Sequence, residues 1–172
     1  MSLIYVTGAP GSGKTALQRE LILRGYDARD IDSSDLGGPH NKSTGKLVVI
    51  PPADQRDESW FEAHEWRVYM DAFQKLKSES RDKDIILCGV AASDHEIAHL
   101  FDKILYLSLD DETLSNRLKT RIDNDYGKNK FELEEILARK HGLDKKYTLR
   151  EVVKIDATNS LADVADEIIS HV

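Results

Sequence analysis

Short apolar runs alternate along the chain with longer stretches in which apolar residues recur at helical spacing. The short runs predict β-strands at residues 3–7, 26–31, 84–88, 103–109 and 152–155. The longer stretches predict helices at residues 13–24, 58–80, 93–100, 111–121, 131–146 and 161–170. Strands that alternate with helices are typical of a parallel sheet covered on both faces. We therefore expect one three-layer α/β domain over residues 1–172.

The region before the longest predicted helix has a different pattern. Residues 33–45 are polar and contain glycine, which predicts a loop. Residues 46–50 predict a short strand, the second arm of a hairpin that turns through residues 41–45, and Pro51 and Pro52 end it.

Composition and charge narrow the functional classes. The 172 residues are 40% hydrophobic and 32% charged, which is ordinary for a soluble globular protein. The net charge of −7 argues against a nucleic-acid partner, which needs a basic face. The single cysteine, Cys88, fits a reducing compartment, and no apolar run is long enough to span a membrane. The chain opens directly on a predicted core strand, which leaves no room for a signal peptide. We expect a cytoplasmic protein.

A glycine-rich motif follows the first predicted strand. Residues 8–15 read GAPGSGKT and match the phosphate-binding pattern G-x-x-x-x-G-K-[ST]. Its glycines permit a sharp turn, and the helix after it directs unpaired amides at an anion. Lys14 supplies a charge for the outer phosphates, and the Thr15 hydroxyl a ligand for magnesium. We name residues 8–15 the phosphate loop and expect it to bind a nucleotide with Mg²⁺.

Other motifs separate the classes of phosphate-loop protein. A switch GTPase is favoured only by residues 35–38, which read DLGG, because residues 41–44 lack the final aspartate of a base-reading motif. A hydrolytic ATPase is disfavoured because the strand that ends at Cys88 carries no terminal carboxylate. A nucleotide-gated switch that acts on a protein partner stays open as the alternative to a small-molecule kinase.

Two acids close the second predicted strand. Asp30 and Asp32 are two residues apart, so strand geometry directs both side chains to one side. In a parallel sheet, the loops after strand ends line the ligand crevice. Phosphoryl transfer to a hydroxyl needs a carboxylate that accepts the proton and groups that hold the metal. Both acids are therefore candidate site residues, although aspartate is also common in solvated turns.

With these motifs in order, the chain resembles the small phosphate-loop kinases of the nucleoside-monophosphate kinase, adenylate kinase-like and shikimate kinase-like group. The resemblance implies ATP and Mg²⁺, a small-molecule phosphoryl acceptor, strand order 2-3-1-4-5, an acceptor-binding insertion near residues 33–80 and a lid near residues 122–130. It also implies a monomer or a homodimer. Transfer of the γ-phosphoryl group to a nucleoside, a nucleotide or a small metabolite is the implied activity.

The same resemblance implies roles for individual residues. Asp30 takes a metal role beside Thr15, and Asp32 contacts the acceptor as a catalytic residue. Arg117 lies against the base and Arg121 contacts phosphates, and both join Lys14 as catalytic residues; the four-residue spacing also places the two arginines on one helix face. Arg139 returns from the far side of the lid to the acceptor. The candidate nucleotide-binding residues are Gly8, Ala9, Pro10, Gly11, Ser12, Gly13, Lys14, Thr15, Ala16, Arg117, Arg121, Asp156, Ala157 and Thr158.

The acceptor region departs from the group, because no acceptor motif of a known member is present. Trp60, His64 and Arg67 fall on one face of the predicted helix over residues 58–80. Such a face could stack on a ring and grip a carboxylate or a phosphate. It could equally be a half-buried amphipathic edge, and the sequence does not decide between the two.

Overall fold

A five-stranded parallel sheet forms the centre of the protein. A computed structural model describes residues 1–31, 35–52, 58–90, 94–122, 127–148 and 152–172. The sheet strands are β1 (Leu3–Gly8), β2 (Asp27–Asp30), β5 (Ile85–Cys88), β6 (Lys103–Ser108) and β7 (Val153–Asp156). Two further strands, β3 (Gly37–Asn41) and β4 (His64–Val68), pair with each other outside it.

The order across the main sheet is β2-β5-β1-β6-β7, and every pairing in it is parallel. Counted among these five strands alone, this is the predicted order 2-3-1-4-5. All six residues of β1 and all four of β5 are buried. Their side chains meet packed neighbours on both faces, which explains why these strands read as continuous apolar runs.

Helices cover both faces of the sheet. In chain order they are α1 (Lys14–Leu23), α2 (Glu58–Ala63), α3 (Met70–Glu79), α4 (Asp94–Ile97), α5 (Asp111–Thr120), α6 (Lys130–Thr148) and α7 (Leu161–Ser170). Ile4 and Val6 of β1 pack in one core cluster with residues of α1 and α7. Leu3 and Tyr5 point to the other face and pack with Phe73 of α3. The predicted three-layer α/β fold is confirmed.

A third apolar cluster lies at the carboxyl end of the sheet. Ala9 of the phosphate loop packs there with Leu114 and Leu118 of α5 and with Ile136 of α6. The two helices that flank the predicted lid therefore share a core with the phosphate loop.

The prediction of one continuous helix over residues 58–80 is wrong. The chain forms α2, then strand β4, then α3. His64, Trp66 and Val68 are half-buried, whereas Glu65 and Arg67 are exposed. This is the two-residue period of a strand with one face covered. The prediction failed because the apolar residues of β4 happen to continue the helical spacing of α3, which begins at Met70.

The predicted strand at residues 46–50 and the predicted loop at residues 33–45 are also corrected. The middle of that loop is β3, which pairs antiparallel with β4. The turn at residues 41–45 is present, because the Asn41 side chain accepts hydrogen bonds from the amides of Ser43 and Thr44. Beyond it the start of the predicted hairpin arm does pair with β3: Leu47 bridges His40, the Asn41 amide donates to the Lys46 carbonyl and the Val48 amide to the Pro39 carbonyl, both at 2.9 Å. β3 takes its strand partner from β4, 23 residues further along the chain by the pairing of Asn41 with His64.

Within the described ranges, no helix has the length and apolarity needed to cross a bilayer.

Candidate active site

The phosphate loop connects β1 to α1 and turns at two glycines with positive φ. Gly11 has φ 88° and Gly13 has φ 100°, values that favour residues without a side chain. A Cβ on Gly11 would also lie 2.8 Å from Leu114 Cδ1 and 2.9 Å from Leu118 Cδ2. Gly13 precedes α1 and has no side chain to cap it. The amides of the first turn are therefore directed at the mouth of the loop, where an anion can meet them.

The Lys14 side chain folds back across the loop. Its Nζ donates hydrogen bonds to the carbonyl oxygens of Gly8, at 2.7 Å, and Ala9, at 2.8 Å. Ser12 Oγ lies 3.4 Å from the same nitrogen. The positive charge is thereby held over the curve of the loop, at the position where the phosphates of a nucleotide would need it.

A small polar cavity of about 60 Å³ opens beside the loop. Its lining residues are Lys14, Thr15, Gln18, Asp30, Cys88 and Gly89. The fold thus brings Thr15 and Asp30 together, as the sequence predicts. A hydroxyl and a carboxylate are the hard oxygen donors that Mg²⁺ prefers. Within the described residues no cluster of three or more His, Cys, Asp or Glu side chains suits a metal. A magnesium ion here would therefore share its coordination with phosphate oxygens and water.

Cys88 is a neutral wall of this cavity. Its side chain is 3% exposed, and burial raises the pKa of the thiol to about 12. The charge of Asp30 raises the pKa further, and that of Lys14 partly offsets the increase. The thiol therefore stays protonated at neutral pH and is a poor nucleophile.

A larger, mainly apolar cavity of about 250 Å³ lies on the other side of the loop. Its lining residues are Ser12, Gly13, Ala16, Leu17, Leu107, Arg117, Ala157, Asn159, Leu161 and Val164. An apolar slot with a few polar groups at its edge suits a planar base. Four predicted nucleotide-binding residues line it with Arg117: Ser12, Gly13, Ala16 and Ala157.

Arg117 joins the two walls of this larger cavity. Its Nη2 donates a 2.7 Å hydrogen bond to the carbonyl oxygen of Ala157, and its Nη1 lies 3.4 Å from the carbonyl oxygen of Ser12. The loop beyond β7 is shaped by Asp156, whose carboxylate accepts hydrogen bonds from the amide and hydroxyl of Thr158. These hydrogen bonds lower the pKa of Asp156 and fix a tight turn.

The remaining predicted arginines lie near the lid. Helix α5 ends at Thr120, and Arg121 caps it with an amide hydrogen bond of 3.1 Å to the Arg117 carbonyl. Arg139 lies on α6, where its side chain is 53% exposed and pairs with Glu135 at 3.1 Å. Residues 123–126 of the predicted lid, and Asp32, lie outside the described residues.

The predicted acceptor-binding stripe does not form as one helix face. Trp60 and His64 do meet: their ring centroids are 4.7 Å apart, and His64 Nδ1 lies 2.7 Å from the Trp60 carbonyl oxygen. Arg67 lies on the opposite face of β4 from His64 and pairs with Glu65. Trp66 takes the place beside His64 on the half-buried face, because strand side chains alternate.

The sequence interpretation missed three cavity side chains that carry a polar group or a thiol. Gln18 lies four residues after Lys14 on α1, so helical spacing alone could have placed it on the same face. Cys88 is the last residue of β5, and residues at the carboxyl ends of parallel strands line the ligand crevice, so its position in the strand could have indicated it. Asn159 closes the loop after β7 and carries no comparable signal.

Comparison with solved structures shows the same fold in several kinases. The chain aligns with shikimate kinase from Acinetobacter baumannii in complex with shikimate at TM-score 0.60 and 18% identity, over 99% of this chain and 92% of that one. It aligns with deoxyadenosine kinase from M. mycoides at TM-score 0.52 and 12% identity, over 98% and 97%. It aligns with a gluconokinase from Sinorhizobium meliloti 1021 at TM-score 0.53 and 17% identity, over 97% and 89%.

Sequence comparison gives the family. No curated protein sequence matches the chain. Residues 4–138 match the family described as AAA domain, and this is well over half of the 172 residues. The chain, with the phosphate-loop fold just described, therefore belongs to the AAA domain family.

Proposed function

We propose that the protein is an ATP-dependent phosphotransferase that moves the γ-phosphoryl group of ATP to a small-molecule acceptor. The observation that carries the proposal is the pair of cavities on either side of Lys14. One is apolar and suits a base, and the other is polar and holds Thr15 and Asp30. A nucleotide laid across the phosphate loop would place its base in the first and its terminal phosphate at the second.

The phosphate loop binds and orients the nucleotide. Amides of residues 8–16 surround the phosphates, and Lys14 exchanges its bonds to the loop carbonyls for phosphate oxygens. Thr15 and Asp30 would hold the magnesium ion, which neutralises charge on the transferred group. Arg117 covers the base, with residues 156–158 at its edge.

The acceptor side follows from the resemblance. Asp32 accepts the proton of the attacking hydroxyl, and Arg121 meets the charge that spreads over the phosphoryl oxygens. Trp60 and His64 offer a stacked ring surface to the acceptor. Arg67 and Arg139 are each paired with a glutamate on an exposed face. We keep both as acceptor contacts, and each would have to break its ion pair before it could bind the acceptor.

The competing function is a nucleotide-gated switch that acts on a protein partner. The sequence support for this function is the switch-like motif DLGG at residues 35–38, whose two glycines lie in β3. A Cβ on Gly37 would lie 2.6 Å from Trp66 Nε1, and one on Gly38 2.6 Å from the Tyr69 hydroxyl. Close packing therefore explains both glycines without a phosphate contact, and this favours the kinase.

An acceptor screen tests the proposal. ADP release would be measured with ATP and Mg²⁺ in the presence of shikimate, gluconate, deoxynucleosides and nucleoside monophosphates, the acceptors that the fold neighbours and the resemblance suggest. The expected result is one acceptor class that raises ADP release well above the acceptor-free rate. Asp32→Asn should abolish the rise, and Asp82→Asn, an exposed aspartate after α3, should not. Slow hydrolysis that no acceptor changes would favour the switch.

A further inference from the structure

A group of polar and charged side chains lies around the buried Lys140, outside both cavities and between α6, β6 and the start of α5. We name it the Lys140 cluster; its members are Tyr106, Asp111, Lys140, His141 and Asp144. Lys140 is only 6% exposed, and its Nζ lies 2.8 Å from Asp111 Oδ1 and 2.8 Å from Asp144 Oδ2. The other oxygen of Asp144 accepts a 2.6 Å hydrogen bond from Tyr106. His141 Nε2 lies 2.8 Å from the other oxygen of Asp111.

The hydrogen bonds and ion pairs of the Lys140 cluster fix the orientation of its side chains. Each carboxylate uses both of its oxygens, and the Tyr106 ring stacks on Tyr147 at 4.8 Å between centroids. Apolar contacts hold surfaces together without fixing their register, whereas ion pairs of this kind fix it. A buried ammonium that bridges two helices therefore sets how α5 is turned against α6.

Helix α5 connects the Lys140 cluster to the nucleotide cavity. Asp111 is its first residue, and Arg117 lies on the same helix, with its guanidinium at the carbonyl oxygens of Ser12 and Ala157. Leu114 lies between these two helix residues and Leu118 directly follows Arg117, and both pack at Gly11. A rotation or slip of α5 at Asp111 would move Arg117 away from both walls of the cavity.

We propose that Lys140 is a positioning residue for nucleotide binding: it fixes the start of α5 through Asp111 and thereby holds Arg117 over the base cavity. The inference rests on the proposed function only in that the protein must bind ATP. Because α6 also follows the predicted lid, the same contact ties the far side of the lid to the helix that leads into it.

ATP affinity, measured by titration calorimetry with Mg²⁺, tests this in a double-mutant cycle. Lys140→Met keeps the buried stem and removes the charge, and Asp111→Asn weakens only the end at α5. Either change should raise the ATP dissociation constant about 2- to 30-fold, the range for residues that act at a distance through packed elements. In the background of Arg117→Ala the same changes should alter it by less than about 2-fold, because the residue they position is gone.

Three comparisons separate positioning from general stability. Urea unfolding of each variant shows that it is folded under the assay conditions. Lys140→Arg should recover most of the affinity, and Lys77→Met, which breaks an ion pair with Asp102 just before β6, should leave affinity unchanged. Equal losses with and without Arg117 would overturn the proposal while leaving the proposed function in place. A native protein that binds no ATP would overturn both.

Discussion

Asp30 and Cys88 lie side by side at the carboxyl ends of β2 and β5, where they are register partners in neighbouring parallel strands. The strand pairing places a carboxylate and a neutral thiol on the polar cavity next to Thr15. Negative charge from this part of the sheet edge therefore comes from Asp30, and the thiol beside it adds none. A strand-end carboxylate beside a hydroxyl suits a magnesium ion that also binds phosphate oxygens.

We expect the Cys88 thiol to resist alkylation in the native protein. It is 3% exposed and its pKa is raised to about 12, so the thiolate that reacts is scarce and shielded. Iodoacetamide at pH 7.5, followed by mass spectrometry, should label Cys88 slowly in buffer and quickly in denaturing urea. Fast labelling in buffer would contradict the buried position.

Lys14→Ala should remove most of the stabilisation that ATP with Mg²⁺ provides. A ligand that binds only the folded state raises Tm, and we propose that Lys14, whose Nζ lies over the phosphate loop, supplies charge to the phosphates. Thermal unfolding with and without ATP measures the shift. Lys75→Ala, an exposed lysine on α3, is the matched control and should keep the full shift. A full shift in Lys14→Ala would show that Lys14 does not reach the phosphates.

Gly11→Ala and Gly25→Ala form a matched pair, since Gly11 has φ 88° and Gly25 has φ 89°. At Gly25 a Cβ meets nothing within 4 Å, so the change should cost only the left-handed backbone, about 1–2 kcal/mol of unfolding free energy. At Gly11 the added Cβ also overlaps Leu114 and Leu118. Urea unfolding should therefore show a larger loss for Gly11→Ala, and calorimetry weaker ATP binding for that variant alone. Equal losses of unfolding free energy would mean that Leu114 and Leu118 move aside for the added Cβ at no measurable cost.

Arg121→Ala should reduce turnover far more than stability. Arginines that stabilise charge in phosphoryl transfer contribute about 10³- to 10⁵-fold in rate, whereas Arg121 follows the last turn of α5 and is not part of an apolar cluster. The measurements are acceptor-dependent ADP release and urea unfolding, with Arg81→Ala, at an exposed turn, as control. Parallel losses of rate and stability would indicate a structural role.

Asp27 should make stability depend on pH in the acid range. Hydrogen bonds from Arg29, and then from Lys83, outweigh burial and lower the pKa of Asp27 to about 2. A lowered pKa in the folded state stabilises the protein above the unfolded pKa of about 4, and this contribution is lost as the pH falls through 2. Asp27→Asn should lower the free energy of unfolding by about 1–2 kcal/mol at pH 6. The loss is no larger because the ion pair between Asp27 and Arg29 is partly solvated.

The control for this prediction is the pH dependence of the stability difference between Asp27→Asn and the native protein. In urea unfolding, the difference between Asp27→Asn and the native protein should shrink towards zero as the pH approaches 2. A difference that stays constant from pH 6 to pH 2 would show that Asp27 acts through packing instead of charge.

The parallel sheet and the phosphate loop were predictable because their signals are local. Buried strands such as β1 and β5 are apolar at nearly every position, and the loop must place glycines and Lys14 at fixed spacing. That Asp30 lines the crevice was predictable because parallel strands end at one edge of the sheet. Its place beside Thr15 was implied by the resemblance to small phosphate-loop kinases.

The region between β2 and β5 was not predictable in the same way. β3 contains two glycines and a proline, a composition typical of a loop, and its main strand partner is β4, which lies far along the chain. β4 has five residues, too few for its two-residue period to be separated from the helical spacing of α3. The buried position of Lys140 was also hidden, because its partner Asp111 is 29 residues away in the chain, by residue number. Long-range pairing of this kind leaves no local pattern.

The pair of β3 and β4 forms a sheet of its own within the described residues. It can consequently open without breaking any rung of the five-stranded sheet, as a separate cooperative unit with its own free energy of opening. We then expect native-state amide exchange to be slow around β1 and faster around His40 of β3 and Trp66 of β4. Such a division would keep the phosphate loop preorganised while β3 and β4 open, and a ligand that bound to β3 and β4 would select among their conformations.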